Sequence, residues 1–228
     1  MTRHLRLLSY ATLLLAGPLT AQRSALREVR SGGGSGGGLS LMIVQPVGQF
    51  KQFVNGGAGV AFAAVPALDR QGVVGLRIEG ELLAYGYMNE PVTLSGGGYA
   101  IPAQAQTWSF ILSGQAGPQL TFGGGPARLY GFLTGGVVDF ATTTSVQSDC
   151  GCDIASYGDG HDLALAWQAG GGMMFTLGRG RHPASLDLGA RYLRNGTVTY
   201  GTTTGGSLRF VRSDANAVVY HIGLSFGF

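Results

Sequence analysis

Three groups of residues in this chain have types and spacings that could do chemistry. The first is His221 and Ser225 in "YHIGLSF". An imidazole beside a hydroxyl is the base and nucleophile of acyl transfer. In a strand both side chains share a face but lie four residues apart, roughly 13 Å at about 3.3 Å per residue. A nucleophile–base hydrogen bond needs about 3 Å. The spacing therefore favours His221 as a structural interior histidine over a catalytic one. His161 and His182 fall in a loop and a turn, and no catalytic residue is assigned.

The second group is Cys150 and Cys152 in "SDCGCDIASYGDGHD", with Asp149, Asp153, Asp159, His161 and Asp162 nearby. Three readings stay open: a disulfide, free or lipid-modified thiols, or a Zn²⁺ site. An oxidising compartment favours the disulfide, although a C-x-C ring constrains little chain entropy. The usual zinc spacing is C-x₂₋₄-C, so no metal or other cofactor is expected. The glycine runs are not nucleotide loops either: "SGGGSGGG" lacks a flanking strand and helix, and no G-K-[ST] follows. Gly170, Gly171 and Gly172 are read instead as relieving crowding in a narrow interior.

The third group is charged: Arg77, Glu79, Glu81, Asp187 and Arg191. These residues sit inside alternating segments, and the alternation decides what they do. Eight strands are expected, at 39–45, 55–65, 73–87, 107–122, 127–140, 162–177, 184–195 and 216–228. No helical periodicity is sustained along the chain. The connections alternate in length. "PALDRQG", "GGGPA" and "GRGRHP" are short, whereas "MNEPVTLSGGGYAIPAQAQ", "TTTSVQSDCGCDIASYGDGH" and "GTVTYGTTTGGSLRFVRSDA" are long. Short turns at one end and long loops at the other are the anatomy of a membrane-spanning barrel.

Within 73–87, Val74, Leu76, Ile78, Leu82 and Ala84 share one face, and Arg77, Glu79 and Glu81 the other. Within 184–192, Leu186, Leu188, Ala190 and Tyr192 oppose Asp187 and Arg191. Within 216–228, Val218, Tyr220, Ile222, Leu224, Phe226 and Phe228 oppose His221, Gly223 and Ser225. A charge facing lipid at mid-depth costs about 2–4 kcal/mol, so the charged set is expected to point inward. There it could form a gate or proton path, or a salt-bridge plug; the second is favoured, because eight strands enclose an interior that side chains just fill. Strand 127–140 does not sort by parity, since Thr134 and Asp139 oppose each other, and a bulge at Gly135-Gly136 is expected. Pro118 implies a second bulge or a locally broken pair. Trp108 and Tyr220 are expected in an outer aromatic girdle, and Phe122, Tyr130, Phe226 and Phe228 in an inner one.

Composition narrows the class further. The 228 residues include 41 Gly, with 45% hydrophobic and 12% charged residues. Collagen is excluded by the lack of a G-X-Y period, and disorder by the plentiful aromatic and β-branched residues. Residues 1–21 read as a signal peptide, with Arg3, His4 and Arg6 before the apolar run Leu7 to Leu19 and small Ala21 at the end. That apolar run is shorter than the roughly 20 residues of a spanning helix. Removing it leaves 13 basic against 12 acidic residues, so the net charge of +3 is partly the leader's. Nothing resembles a nucleic-acid-binding stripe. Residues 22–38 read as a Gly/Ser-rich tether and residues 39–228 as the barrel domain.

The segments "VGLRIEGELL", "ARLYGFLTGGV", "LAWQAGGGMMF", "LDLGARYL" and "IGLSFGF", in that order, resemble the small eight-stranded outer-membrane β-barrels of the OmpA/OmpX-like, porin-like superfamily. The resemblance implies an all-β, antiparallel, up-and-down transmembrane barrel in a bacterial outer membrane. It also implies partners: outer-membrane lipid, and the barrel assembly machinery and periplasmic chaperones during biogenesis. Tyr220, Ile222, Leu224, Phe226 and Phe228 match the family's C-terminal assembly signal. The CGC loop and the Gly-rich tether depart from the family pattern. The expectation is a monomer with no enzymatic activity, a plugged lumen and a structural, adhesion or surface-interaction role. The alternatives are an outer-membrane lipid-modifying enzyme and a soluble secreted β-barrel binding a small ligand.

Overall fold

The computed structural model describes residues 35–96, 99–148, 153–178, 184–204 and 207–227. The expected signal peptide at residues 1–21, residues 22–34 of the expected tether, Cys150, Cys152, His182 and Phe228 lie outside these described residues. Ten strands form: β1 (Gly36–Pro46), β2 (Gly57–Val65), β3 (Val74–Gly96), β4 (Tyr99–Phe122), β5 (Ala127–Ser148), β6 (Asp153–Thr176), β7 (Ala184–Asn195), β8 (Thr197–Thr204), β9 (Ser207–Asp214) and β10 (Ala217–Gly227). Eight of them close into a barrel in the order β1-β10-β7-β6-β5-β4-β3-β2, and β8 and β9 form a separate hairpin. All pairings are antiparallel.

Closure comes from β1 and β10, which pair from Gly36↔Gly227 to Pro46↔Ala217. The barrel thus has no free edge along this seam. β1 starts at Gly36, so the last three residues of the expected tether belong to the barrel wall. Alternation then sorts each strand into an apolar outer face and an inner face. Leu39, Leu41 and Ile43 are exposed, and Met42 and Val44, at the alternate positions, are buried. The same parity exposes Ile78 and Leu82, Leu112 and Leu120, Leu163 and Leu165, and Tyr220, Ile222, Leu224 and Phe226.

Several expectations are corrected. The segments expected as long loops at 88–106 and 142–161 are largely strand: β3 and β4 pair up to Gly96↔Tyr99, and β5 and β6 up to Gln147↔Asp153. The segment 196–215 is mostly the β8–β9 hairpin. No bulge occurs at Gly135-Gly136, where the register runs on unbroken through Gly135↔Ala116 and Gly136↔Gln115. Strand β5 keeps one parity there because Asp139 faces outward, where its Oδ2 meets His161 Nδ1 at 3.0 Å. The register shifts fall instead at Ala84/Gly86, Thr142/Thr144 and Val146/Gln147. At Pro118 the β4–β5 ladder skips Gly117 and Pro118 and resumes at Gln119↔Phe132 without a shift. A missing N–H donor has this local effect.

Two connections fold inward at the end of the barrel where β3–β6 extend, here called the outer end. The β1–β2 connection holds a short 3-10 turn, Phe50–Gln52, which buries Phe50. The β8–β9 hairpin buries Val198 and Tyr200. The two meet Tyr85 and Phe140 from the wall: Phe50 and Tyr200 pack edge to face at 5.1 Å and 89°, and Tyr85 lies 5.8 Å from Phe50 and 6.2 Å from Tyr200. Edge-to-face packing suits the ring quadrupoles. Tyr200 Oη also pairs with Ser213 Oγ at 2.8 Å, within the hairpin.

Candidate functional site

The polar centre of the barrel is built by alternation on β3, which sends Arg77, Glu79 and Glu81 inward at successive rungs, and by β7, which sends Asp187 and Arg191. Arg77 Nε lies 2.6 Å from Glu79 Oε2, and Arg191 Nη1 lies 2.6 Å from Glu79 Oε1. One carboxylate is therefore shared by two guanidiniums. Arg191 Nη2 reaches Glu81 Oε1 at 2.8 Å and also contacts Met42 Sδ. Ser113 donates to Glu81 Oε2 (3.1 Å), Gln168 to Glu79 Oε2 (3.3 Å), and Arg77 Nη1 to Gln119 Oε1 (3.1 Å). The Arg77 guanidinium also sits 4.3 Å from the Phe132 ring centroid, a cation–π contact. Buried ions persist only where such partners replace water.

A second cluster lies beside it. Tyr130 Oη donates to Asp187 Oδ1 at 2.7 Å, and His221 Nε2 lies 2.9 Å from the same oxygen of Tyr130. Because the carboxylate can only accept, the phenol proton goes to Asp187, and His221 Nε2–H donates to Tyr130. Asp187 itself is 3.7 Å from His221 Nε2. Two glycines make room here. A Cβ at Gly172 would stand 2.6 Å from Tyr130 Oη, and one at Gly189 would stand 2.5 Å from His221 Cε1.

The structure thus brings Arg77, Glu79, Glu81 and Arg191 into one network, and joins Asp187 and His221 through Tyr130. Tyr130 is an interior residue and not part of an aromatic girdle, because even positions of β5 face inward from Tyr130 through Phe140. Tyr220, Ile222, Leu224 and Phe226 lie on the outer face. Cys150, Cys152 and Phe228 are outside the described residues. Gln168 and Phe132 were missed by sequence reasoning. Parity could have found Phe132, had Asp139 been allowed to face outward; Gln168 lies on β6, whose two faces the sequence analysis did not sort.

The chemistry available is limited. Glu79 is held between two cations and is no general base. Ser225 Oγ reaches towards Met174 Sδ, Ser113 serves Glu81, and Ser109 pairs with Thr142 Oγ1 and the Gly201 carbonyl. None of these serines is bonded to His221 or His161. Among the described residues no cluster of three His, Cys, Asp or Glu side chains could hold a metal ion.

Closed antiparallel connectivity, an apolar outer wall and a charged interior define a class, the eight-stranded up-and-down barrel found in small outer-membrane proteins. Among solved structures, the chain is similar to Neisserial surface protein A, at 11% identity and a TM-score of 0.51, over 85% of this chain and 97% of that one. It is also similar to Ail, the attachment invasion locus protein of Yersinia pestis (15% identity, TM-score 0.44, 86% of this chain and 97% of that one). A major outer membrane protein from Thermus thermophilus matches at 13% identity and a TM-score of 0.44, over 84% and 99% of the two chains. No protein-family model matches the chain. No curated protein matches its sequence significantly.

Proposed function

We propose that this protein is a bacterial outer-membrane barrel, exported by the signal peptide at residues 1–21, with a closed lumen and a structural or surface-interaction role. The observation that carries the reading is the inversion of the barrel. Leu39, Leu41, Ile43, Leu163 and Leu165 are each more than 60% exposed, while Glu79 and Arg191 side chains are wholly buried. A barrel dissolved in water would invert that order, which argues against a soluble ligand carrier. Lumen closure is supported by the charged network at mid-height and the Phe50–Tyr85–Phe140–Tyr200 cluster at the outer end. Interaction would fall to the parts of β3–β6 that extend there and to the β8–β9 hairpin. Membrane lipid and, during assembly, the insertion machinery reading the β10 end are its partners in this reading, and it acts as a monomer without enzymatic activity.

Cell fractionation followed by electrophoresis with and without boiling tests this. The protein is expected in the detergent-extracted envelope, with a folded form that migrates apart from the boiled one. Recovery as a soluble protein with one mobility overturns it. Planar-bilayer recording tests the lumen: a large, stable conductance contradicts closure.

A further inference from the structure

On the outer face of β3, β4 and β5 the apolar wall ends abruptly. Ascending β4 on that face, Ala116, Gly114 and Leu112 give way to Phe110 and Trp108, and then to Gln106 and Gln104. Trp108 stacks on Phe110 (5.9 Å between centroids, 2° between planes), and Tyr87 of β3 lies 4.6 Å from Trp108. Tyr87 is 54% exposed and Trp108 42%. The register shift between Ala84 and Gly86 is what turns Tyr87 outward, by changing the parity of β3. Directly above the rings lies a row of side-chain amides. Asn89 Nδ2 donates to Gln104 Oε1 at 3.3 Å, and Gln106 Nε2 to Gln147 Oε1 at 3.4 Å. Each amide has a second donor or acceptor left for a ligand. The outward positions around them on β3 and β5 are Pro91, Thr93, Thr143 and Ser145, all uncharged. Among the described side chains of this wall, Asp139 and His161 pair with each other, Oδ2 to Nδ1 at 3.0 Å.

We infer that this face binds the uncharged sugar head of a glycolipid anchored in the same leaflet. The inference rests on the outer-membrane reading above and deepens it. The occupant must be an amphiphile, because the wall changes from apolar to amide within one turn of the pleat at Trp108. Its head must be uncharged, because among the described side chains around the amide row none is a cation that could pair with a phosphate or a carboxylate. A sugar ring presents C–H groups on its flat faces, which carry the partial positive charge that an aromatic face attracts. Its hydroxyls each donate and accept, as the Asn89–Gln104 and Gln106–Gln147 pairs do. From Trp108 to Gln104 the face rises about 13 Å at about 3.3 Å per residue, so a head standing up from the bilayer lies along it.

The test uses the full barrel in phosphatidylcholine vesicles with increasing digalactosyldiacylglycerol. The chain has two tryptophans, so a Trp167→Phe background makes Trp108 the reporter. A saturable shift of Trp108 emission is expected, and Gln104→Ala/Gln106→Ala should raise the half-saturating fraction about thirtyfold, as the loss of two hydrogen bonds of about 1 kcal/mol each would. Asn89→Ala should act in the same direction. Three results overturn the inference: no saturable shift, an equal shift from phosphatidylglycerol, or amide variants that titrate like their parent. Soluble digalactose binding as strongly as the glycolipid overturns the anchored occupant. Heat-shifted mobility of the same preparations reports insertion separately, so failure of this site is distinguishable from failure of the outer-membrane reading.

Discussion

Arg191 on β7 holds Glu79 on β3 across the full width of the barrel, Nη1 to Oε1 at 2.6 Å, with both side chains wholly buried. In the strand order β7 and β3 stand four places apart in a ring of eight, so the pair joins opposite walls. Arg77 and Glu81 complete the span from the β3 side. At this height the interior is filled by charge pairs, with Met42 and Phe132 packed against them.

Removing Arg191 should therefore be costly. Arg191→Met leaves Glu79 with one guanidinium and Glu81 without its cation. Breaking a buried pair by one partner costs about 3–5 kcal/mol. Urea titration in vesicles, read by the heat-shifted gel band, should show a loss of this size. A loss below about 1 kcal/mol would mean that the network contributes little to holding the walls.

The outer cluster should respond differently. Tyr200→Ala removes the ring that meets Phe50, Tyr85 and Phe140, and large-to-Ala changes in packed sites cost about 3–5 kcal/mol. Because the hairpin is not part of the barrel ladder, the expected result is faster proteolysis within 197–214 with the barrel band retained. Loss of the barrel band at the same rate would show that hairpin and barrel unfold as one unit.

Two glycines on separate strands of the wall, Gly189 of β7 and Gly114 of β4, should separate cleanly. Gly189→Ala places a Cβ 2.5 Å from His221 Cε1 and 2.7 Å from the Gly171 carbonyl oxygen, so imidazole and backbone must both shift. Overpacking of this kind costs about 1–3 kcal/mol. Gly114→Ala points outward, with nothing within 4 Å of the new methyl. It should be neutral or stabilising by up to about 1 kcal/mol through reduced unfolded-state entropy. Equal destabilisation by the two would contradict the inward and outward assignments.

The β2–β3 turn supplies a pH dependence. Asp69 Oδ1 accepts from the Val74 backbone N–H at 2.9 Å and Oδ2 from that of Gln71 at 3.2 Å. The Val74 bond is the largest influence holding this carboxyl below its ordinary value of 3.8. A depressed folded value means that the contribution is present above pH 3.8 and is lost as pH falls through the lower folded value. Asp69→Asn should remove that acid-side slope: the variant should be less stable than its parent near neutral pH, where the carboxylate's contribution is present, and level with it in acid, where that contribution is lost. An unchanged slope in the variant would assign it to another group.

Much of the wall was legible in the sequence because its cause is local. Period-two alternation in 73–84, 107–122 and 216–227 places apolar residues outward whatever the partner strand, so the class, the closing strand and the inward direction of Arg77, Glu79, Glu81 and Arg191 could all be read. Strand 127–140 was misread for an instructive reason. Parity was judged on the premise that a carboxylate cannot face out, and Asp139 does so by pairing with His161 twenty-two positions away. The true parity puts Tyr130 and Phe132 inside, which changes the chemistry of the interior.

Sequence alone determined the eight wall strands in outline, the faces of those that alternate cleanly and the signs of the buried charges, because each follows from the residue and its immediate neighbours along the pleat. Only the tertiary structure decided which charge meets which, since Glu79 and Arg191 are 112 residues apart and their meeting depends on closure and register. The same holds for the outer end, where Phe50, Tyr85, Phe140 and Tyr200 come from four separate segments. It holds too for the Tyr87–Trp108 face, which exists because one register shift in β3 reverses its parity. Contacts between distant segments are fixed by how strands are aligned, and alignment is a property of the closed sheet.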